Sequence, residues 1–224
     1  MSRQLTSGVL GRKKDFSYLI DNLIAGYRLD GDGSDISSNS NDLVIDPALS
    51  FVTGKVNQCL EYNRNGGAIP TSNIFLPAQS DWCISSWIYI NSSVQPETQY
   101  SYMGKRRAYE IVFTTGGDIR FEIRASNEPP DSRIYTYDSA LFDFDSWIHT
   151  TMNYKANDVA ECFINGKLVG TINTVGITAF DRPNFDFWVG TIESPRYVDG
   201  KIDEAYVFNK SLSQEEIKGI MKGI

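Results

Sequence analysis

The chain has 224 residues, 41% of them hydrophobic and 12% aromatic, enough to bury the core of one β-sandwich domain. Twenty-eight acidic residues against 21 basic ones give a net charge of −7, which argues against the basic stripe of a nucleic-acid-binding domain. No stretch approaches the ~20 apolar residues of a membrane helix. Cys59, Cys83 and Cys162 are odd in number and lack CxxC spacing, which argues against a disulfide framework or a cysteine zinc site.

In chain order, residues 1–16 read as a polar arm with a basic patch, Arg12-Lys13-Lys14, either a tail or a docking segment. The arm has no continuous apolar run of the secretory kind. Residues 17–224 read as one domain in which period-2 segments dominate. Ile24–Leu29 is a first strand, Asp30–Asp42 a polar loop, and residues 55–62 a further strand. Trp82–Ile90 is apolar on both faces, the mark of a central strand covered on both sides. Residues 108–125 form a hairpin about Gly116-Gly117. Glu110, Arg120, Glu122 and Arg124 share its wet face and could pair across strands.

Trp147–Tyr154 is another strand, and residues 159–172 a hairpin about Asn165-Gly166. Two strands follow, at 185–189 and 201–208. The chain ends in a helix announced by a capping box, Ser213 to Glu216, and by the stripe Ile217, Ile220, Met221 and Ile224. About ten strands and one terminal helix predict an all-β fold: a two-sheet antiparallel jelly-roll sandwich with a short C-terminal helix.

An ordered set of motifs carries a family resemblance from about Leu23 to Ile220. Gly26-Tyr27-Arg28-Leu29-Asp30-Gly31 is followed by Asp35-Ile36-Ser37-Ser38-Asn39. Then come Gly54-Lys55-Val56 with Cys59-Leu60-Glu61-Tyr62, and Trp82-Cys83-Ile84-Ser85-Ser86-Trp87-Ile88. Trp147-Ile148-His149, Phe163-Ile164-Asn165-Gly166 and Gly200-Lys201-Ile202-Asp203-Glu204 complete the series. In this order they resemble the laminin-G-like jelly-roll domains of the concanavalin A-like superfamily. That architecture hosts lectins, adhesion modules, glycosidases and virion proteins, so function needs its own argument.

Glycosidases of the superfamily carry Glu-x-Asp-x-x-Glu on one strand, where period 2 brings the carboxylates together. The motif does not occur here, and Asp143 and Asp145 read as turn residues at a strand entry. His149, the only histidine, reads as a packed side chain. Asp30-Gly31-Asp32-Gly33-Ser34-Asp35 concentrates hard oxygen donors without matching an EF-hand. The resemblance implies a structural calcium there, with Asp30, Asp35 and Asp203 as ligands; the alternative is turn chemistry, with Asp203 bonded to loop amides. Lectin-like sites on such sandwiches use loop aromatics with polar neighbours. The segments that have this chemistry carry Tyr100 and Tyr102, Tyr135 and Tyr137, and Arg196 with Tyr197.

The resulting expectation is a non-enzymatic binding or structural module. A virus or phage surface protein, a head decoration or fibre component with a lectin-like domain, comes first. A carbohydrate-binding extracellular or adhesion protein is the alternative, and a glycoside hydrolase comes last. Its partners would be proteins of a particle or surface assembly, or glycans, with self-assembly into a homo-oligomer the default. It would be made in the cytoplasm and carried on the virion surface, or else be extracellular.

Overall fold

The computed structural model describes residues 15–64, 66–92, 99–126, 131–181, 185–190 and 198–224. A short 3₁₀ helix, Ser17–Asn22, leads into β1 (Leu23–Tyr27), β2 (Leu43–Ile45), β3 (Ser50–Thr53), β4 (Gln58–Asn63) and β5 (Ala68–Pro70). Then come β6 (Trp82–Ile90), β7 (Tyr100–Lys105), β8 (Tyr109–Phe113), β9 (Ile119–Ala125) and β10 (Asp131–Tyr137). The remainder is β11 (Trp147–Tyr154), β12 (Val159–Ile164), β13 (Lys167–Asn173), β14 (Phe187–Val189), β15 (Asp199–Phe208) and α1 (Gln214–Ile220).

The strands form two antiparallel sheets. One runs β13-β12-β11-β6-β15-β4-β3, with β1 also paired to β15. The other runs β10-β9-β8-β7-β14-β5-β2. The main core fills the space between them. Trp82, Ile84, Ile88 and Ile90 of β6 enter it from one side, and Ile119, Phe121 and Ile123 of β9 from the other. Trp82 stacks on Tyr154 with ring centroids 4.6 Å apart. β6 lies between β11 and β15, the central place its two apolar faces predict. In the β12–β13 hairpin, Asn165 and Gly166 both adopt positive φ (50° and 70°), as a two-residue turn of the primed type requires.

A second, smaller core lies on the outer face of the eight-stranded sheet. Cys83, Phe163, Tyr206 and Phe208 project outward there and are covered by Leu19, Leu212, Ile217 and Ile220. Ser213 and Glu216 form the capping box that starts α1. A seven-residue helix is too short to persist on its own, so packing on the sheet sustains it. All three cysteines are free and buried.

Two segments read as loops are strands. Residues 99–102 lead into β7, which sits between β8 and β14, and residues 133–137 belong to β10 at the sheet edge. The strands β2, β3 and β5 span three or four residues each, too few to show a period. Of the predicted arm, residues 1–14 lie outside the described residues, while Phe16 packs on the second core.

Ile217→Ala is expected to cost about 2–5 kcal/mol in urea unfolding, because the helix cannot collapse into the gap without leaving the sheet. Ser213→Ala removes only the cap and should cost about 1 kcal/mol.

Candidate functional site

The polar loop after β1 is organised by its own aspartates. Asp35 Oδ1 accepts from the backbone amides of Gly26 and Ser37, both at 2.8 Å. Its Oδ2 accepts from Ser37 Oγ at 2.6 Å and from the Asn41 amide at 2.9 Å. Asp30 accepts from the Gln58 amide and from Asn57 Nδ2, each at 3.0 Å. Asp203 reaches the same β3–β4 turn from β15, its Oδ2 accepting from the amides of Lys55 and Val56 at 2.8 and 2.9 Å. Gly54 is small because a Cβ there would lie 2.7 Å from that oxygen.

Of the three aspartates, Asp203 alone keeps a buried oxygen, Oδ1, without a hydrogen-bond partner. Among the described residues no three His, Cys, Asp or Glu side chains group to hold a metal. Asp30, Asp35 and Asp203 therefore do not fit a calcium site together: Asp35 holds its own loop, while Asp30 and Asp203 hold the β3–β4 turn. Turn chemistry, the alternative reading, is what the geometry shows.

Beside Asp203, Glu204 is buried with φ 48° and accepts from the Tyr206 hydroxyl. Burial pushes Asp203 up to about 6, against the pull of the amides of Val56, Lys55 and Glu204. Burial, with the charges of Asp203 and Asp30 added, pushes Glu204 up to about 8; Arg28 opposes this.

The aromatic candidates are structural. Tyr100 and Tyr102 are buried in the main core, 4% and 1% exposed. Tyr135 and Tyr137 lie half-buried against it; their hydroxyls donate to the carbonyls of Val169 and Leu141. A Tyr-Ser-Tyr segment reads as a polar loop only until its strand is placed between two others. Arg196 and Tyr197 lie outside the described residues. His149 is 1% exposed, with Ser85 Oγ 3.0 Å from its Nε2, and burial pushes its pKa down to about 3. It is a packed side chain.

A different surface gathers charge. On the outer face of the seven-stranded sheet, Arg120, Glu122 and Arg124 of β9 alternate outward, and Glu110 of β8 stands directly opposite Glu122. Arg106 and Arg107, in the β7–β8 turn, and Gln99 complete the lining of a concavity of about 230 Å³. Glu122, 5% exposed, is its anchor. It accepts from Arg124 Nη2 at 2.6 Å and from Ser132 Oγ at 2.8 Å, and pairs by charge with Arg120 Nη2 at 3.0 Å. Burial alone would raise its pKa, but hydrogen bonds from Arg124 and Ser132 and the two arginine charges bring it below the usual carboxylate value. Arg120 Nη2 also donates to Gln99 Oε1 at 2.9 Å. Glu110 Oε1 accepts from the Arg107 amide at 2.7 Å, and Arg107 Nε reaches Asp181 at 3.1 Å.

Arg120 Nε and Arg124 Nε are buried with no hydrogen-bond partner among the described residues. A buried donor left unmet costs about 1–3 kcal/mol, more when charged. The residues of this face were read from sequence as cross-strand ion pairs. The pairs instead run along β9, from Glu122 to the residues two positions away on either side. The signal for a site was legible: Arg106-Arg107 stands in the β7–β8 turn, just before the β8–β9 hairpin that brings Glu110 to Glu122.

A family model described as the concanavalin A-like lectin/glucanases superfamily, laminin-G type, matches residues 63–218. The chain belongs to this superfamily. Curated protein sequences give no match. Among solved structures, this laminin-G-type chain is similar to the binding domain of Paraclostridial Mosquitocidal Protein 1, with TM-score 0.73 and 17% identity over 91% of this chain and 52% of that one. It is also similar to the botulinum neurotoxin serotype D ligand-binding domain in complex with N-acetylneuraminic acid, with TM-score 0.68 and 15% identity over 93% of this chain and 52% of that one. The botulinum neurotoxin DC binding domain in complex with rat synaptotagmin II gives TM-score 0.71 and 18% identity over 91% and 52%. The laminin-G-type chain thus spans about half the length of these solved chains. Likeness at such low identity establishes the shared fold.

Between the ordinary carboxylate range and about 6 for Asp203 or about 8 for Glu204, the folded chain retains protons that the unfolded chain has released. Their stabilising protonation is complete below ordinary carboxylate pKa values and is lost as pH rises through about 6 and about 8. The melting temperature is expected to fall across that window, and Glu204→Gln to remove most of the fall; an unchanged profile in the variant would contradict the assignment. Excess calcium should leave the melting temperature unmoved, and Asp35→Asn should lower it equally with and without the ion. A calcium-dependent rise lost in Asp203→Ala would restore the metal reading.

Proposed function

We propose that this chain is a non-catalytic binding module that recognises a glycan through the outer face of its seven-stranded sheet. The observation that carries the reading is the arginine-lined concavity around Glu122, a polar recess built on strands rather than on loops. Similarity to binding domains, one of them in complex with N-acetylneuraminic acid, supports it as an analogy of fold. The main alternative chemistry has little to work with: His149 is enclosed beside Ser85 and Thr151 and faces no carboxylate in its hydrogen bonds.

The narrower reading, a place on the surface of a virus or phage particle, draws its support from the three buried free thiols, which suit folding in a reducing cytoplasm. Co-sedimentation of the chain with particles tests that place.

A panel of immobilised neutral and acidic glycans should retain the purified chain, and the retained glycans should release no reducing ends on prolonged incubation. Release of reducing ends, abolished by one carboxylate substitution, would make it a hydrolase. Retention by a protein receptor stripped of its glycans, with no glycan retained, would replace the glycan by a protein ligand.

A further inference from the structure

We infer that this chain binds a second copy of itself along the free edge of β10, so that two seven-stranded sheets join into one about a twofold axis at Ile134. The inference goes beyond the glycan-binding reading and does not depend on it.

A sheet edge offers unpaired N–H and C=O groups to any strand that can reach them, and natural proteins blunt or cover it. The other edges here are short or covered. β2 and β3 end their sheets and span three and four residues. The free side of β1 is taken by its own loop. There the Ile36 amide donates to the Gly26 carbonyl, and the side chains of Asn39 and Asn41 donate to the carbonyls of Leu23 and Ile24. The β13 edge is closed by β10 itself. Tyr135 Oη donates to the Val169 carbonyl, Arg133 Nη1 donates to those of Asn173 and Val175, and a Cβ on Gly170 would lie 2.1 Å from the Tyr135 ring.

β10 differs from all of these. It runs seven residues against β9 with no register shift, and it ends its sheet. The Arg124 amide donates to the Ala108 carbonyl on the β8 side. Alternation then turns Ile123 and Ala125 toward β10, and their partners Arg133 and Asp131 back toward β9. The N–H and C=O of Ser132, Ile134 and Thr136 therefore point to the open side, where no described residue bonds them. The side chains of these three are exposed and uncharged. Asp131 and Arg133, the charges of the strand, pair with each other at 2.6 Å on its other face.

The edge is also self-complementary. Antiparallel pairing about Ile134 fits the alternation and gives roughly six main-chain hydrogen bonds. It sets Ile134 on its own copy and Ser132 on the second copy's Thr136, and no like charges meet, on a chain of net charge −7. Four of the seven large apolar side chains exposed among the described residues surround this edge. Ile134 lies on it, Leu168 beside Val169, Leu141 at the Tyr137 end and Val175 at the Arg133 end. The twofold axis brings the Tyr137 end of one copy to the Asp131 end of the other, so Leu141 approaches the second copy's Val175. Ile134 stands opposite Glu122, so the dimer places the two concavities on one face, roughly 14 Å or three strand spacings apart.

Sedimentation equilibrium of the full chain from about 1 to about 500 µM should show the mass rising from 25.2 kDa toward twice that value. Ile134→Lys sets like charges opposite each other, and Thr136→Pro removes an outward N–H that β9 does not use; each should weaken dimerisation roughly tenfold or more. Val44→Lys, the same exposed change at the other end of the sheet, should leave it within about twofold. Ile134→Cys should give an interchain disulfide on oxidation, since the facing Cα atoms would lie ~5.5 Å apart, whereas Thr136→Cys, which faces Ser132, should give none. The native thiols are buried and do not interfere. A melting temperature near that of the wild type identifies the variants that fold; should Thr136→Pro fail this, Ile134→Lys and the two cysteine variants carry the test. A wild type that stays monomeric throughout overturns the inference and leaves the edge to a strand of another protein. A dimer untouched by Ile134→Lys, or one lost in Val44→Lys alone, overturns it in favour of another surface.

Discussion

β15 pairs with three strands and can do so only because its backbone breaks step at Asp203 and Glu204. Up to Ile202 it runs beside β4; from Ala205 onward it runs beside β1; β6 accompanies it on the other side throughout. The register against β6 slips between Asp203 and Tyr206, and Glu204 takes a positive φ of 48° to allow it. A carboxylate side chain at such a bulge would be costly in the interior if unmet. Asp203 is met by the β3–β4 turn amides and Glu204 by the Tyr206 hydroxyl and a retained proton. The bulge thus ties the first and last strands to the β3–β4 hairpin and sets where the eight-stranded sheet can curve over the core.

The opposite sheet solves a related problem by pairing charge along a strand. Glu122 is nearly as buried as Asp203, yet its pKa moves down where that of Asp203 moves up. The difference lies in the neighbours: guanidiniums two residues away on either side for Glu122, amides and other carboxylates for Asp203. One sheet uses buried acid to hold a turn and a bulge. The other uses buried acid to hold two cations still at the edge of water. The first arrangement shapes the scaffold, and the second presents a surface from it.

Much of the scaffold was legible because the relevant patterns are local. β6, the β8–β9 hairpin, the Asn165-Gly166 turn and the Ser213 capping box all follow from side-chain period, positive-φ preference or spacing within a few residues. What was not legible depends on partners far away in sequence. Tyr100 and Tyr102 look like loop aromatics, and only the placement of β7 between β8 and β14 turns them into core. Asp203 looks like a cation ligand until its 148-residue reach to Lys55 is seen. The charged face of β9 was visible as an alternation, but its meaning required knowing that Glu122 is enclosed and that Arg106 and Arg107 close the recess.

The most direct measurement is nuclear magnetic resonance of the backbone amides during titration with the glycans that the chain retains. The account predicts saturable amide shifts confined to β8, β9 and the turn at Arg106-Arg107, where the concavity around Glu122 lies. Shifts clustered instead in the loops at the ends of the sandwich, with the amides of β8 and β9 unmoved, would contradict it.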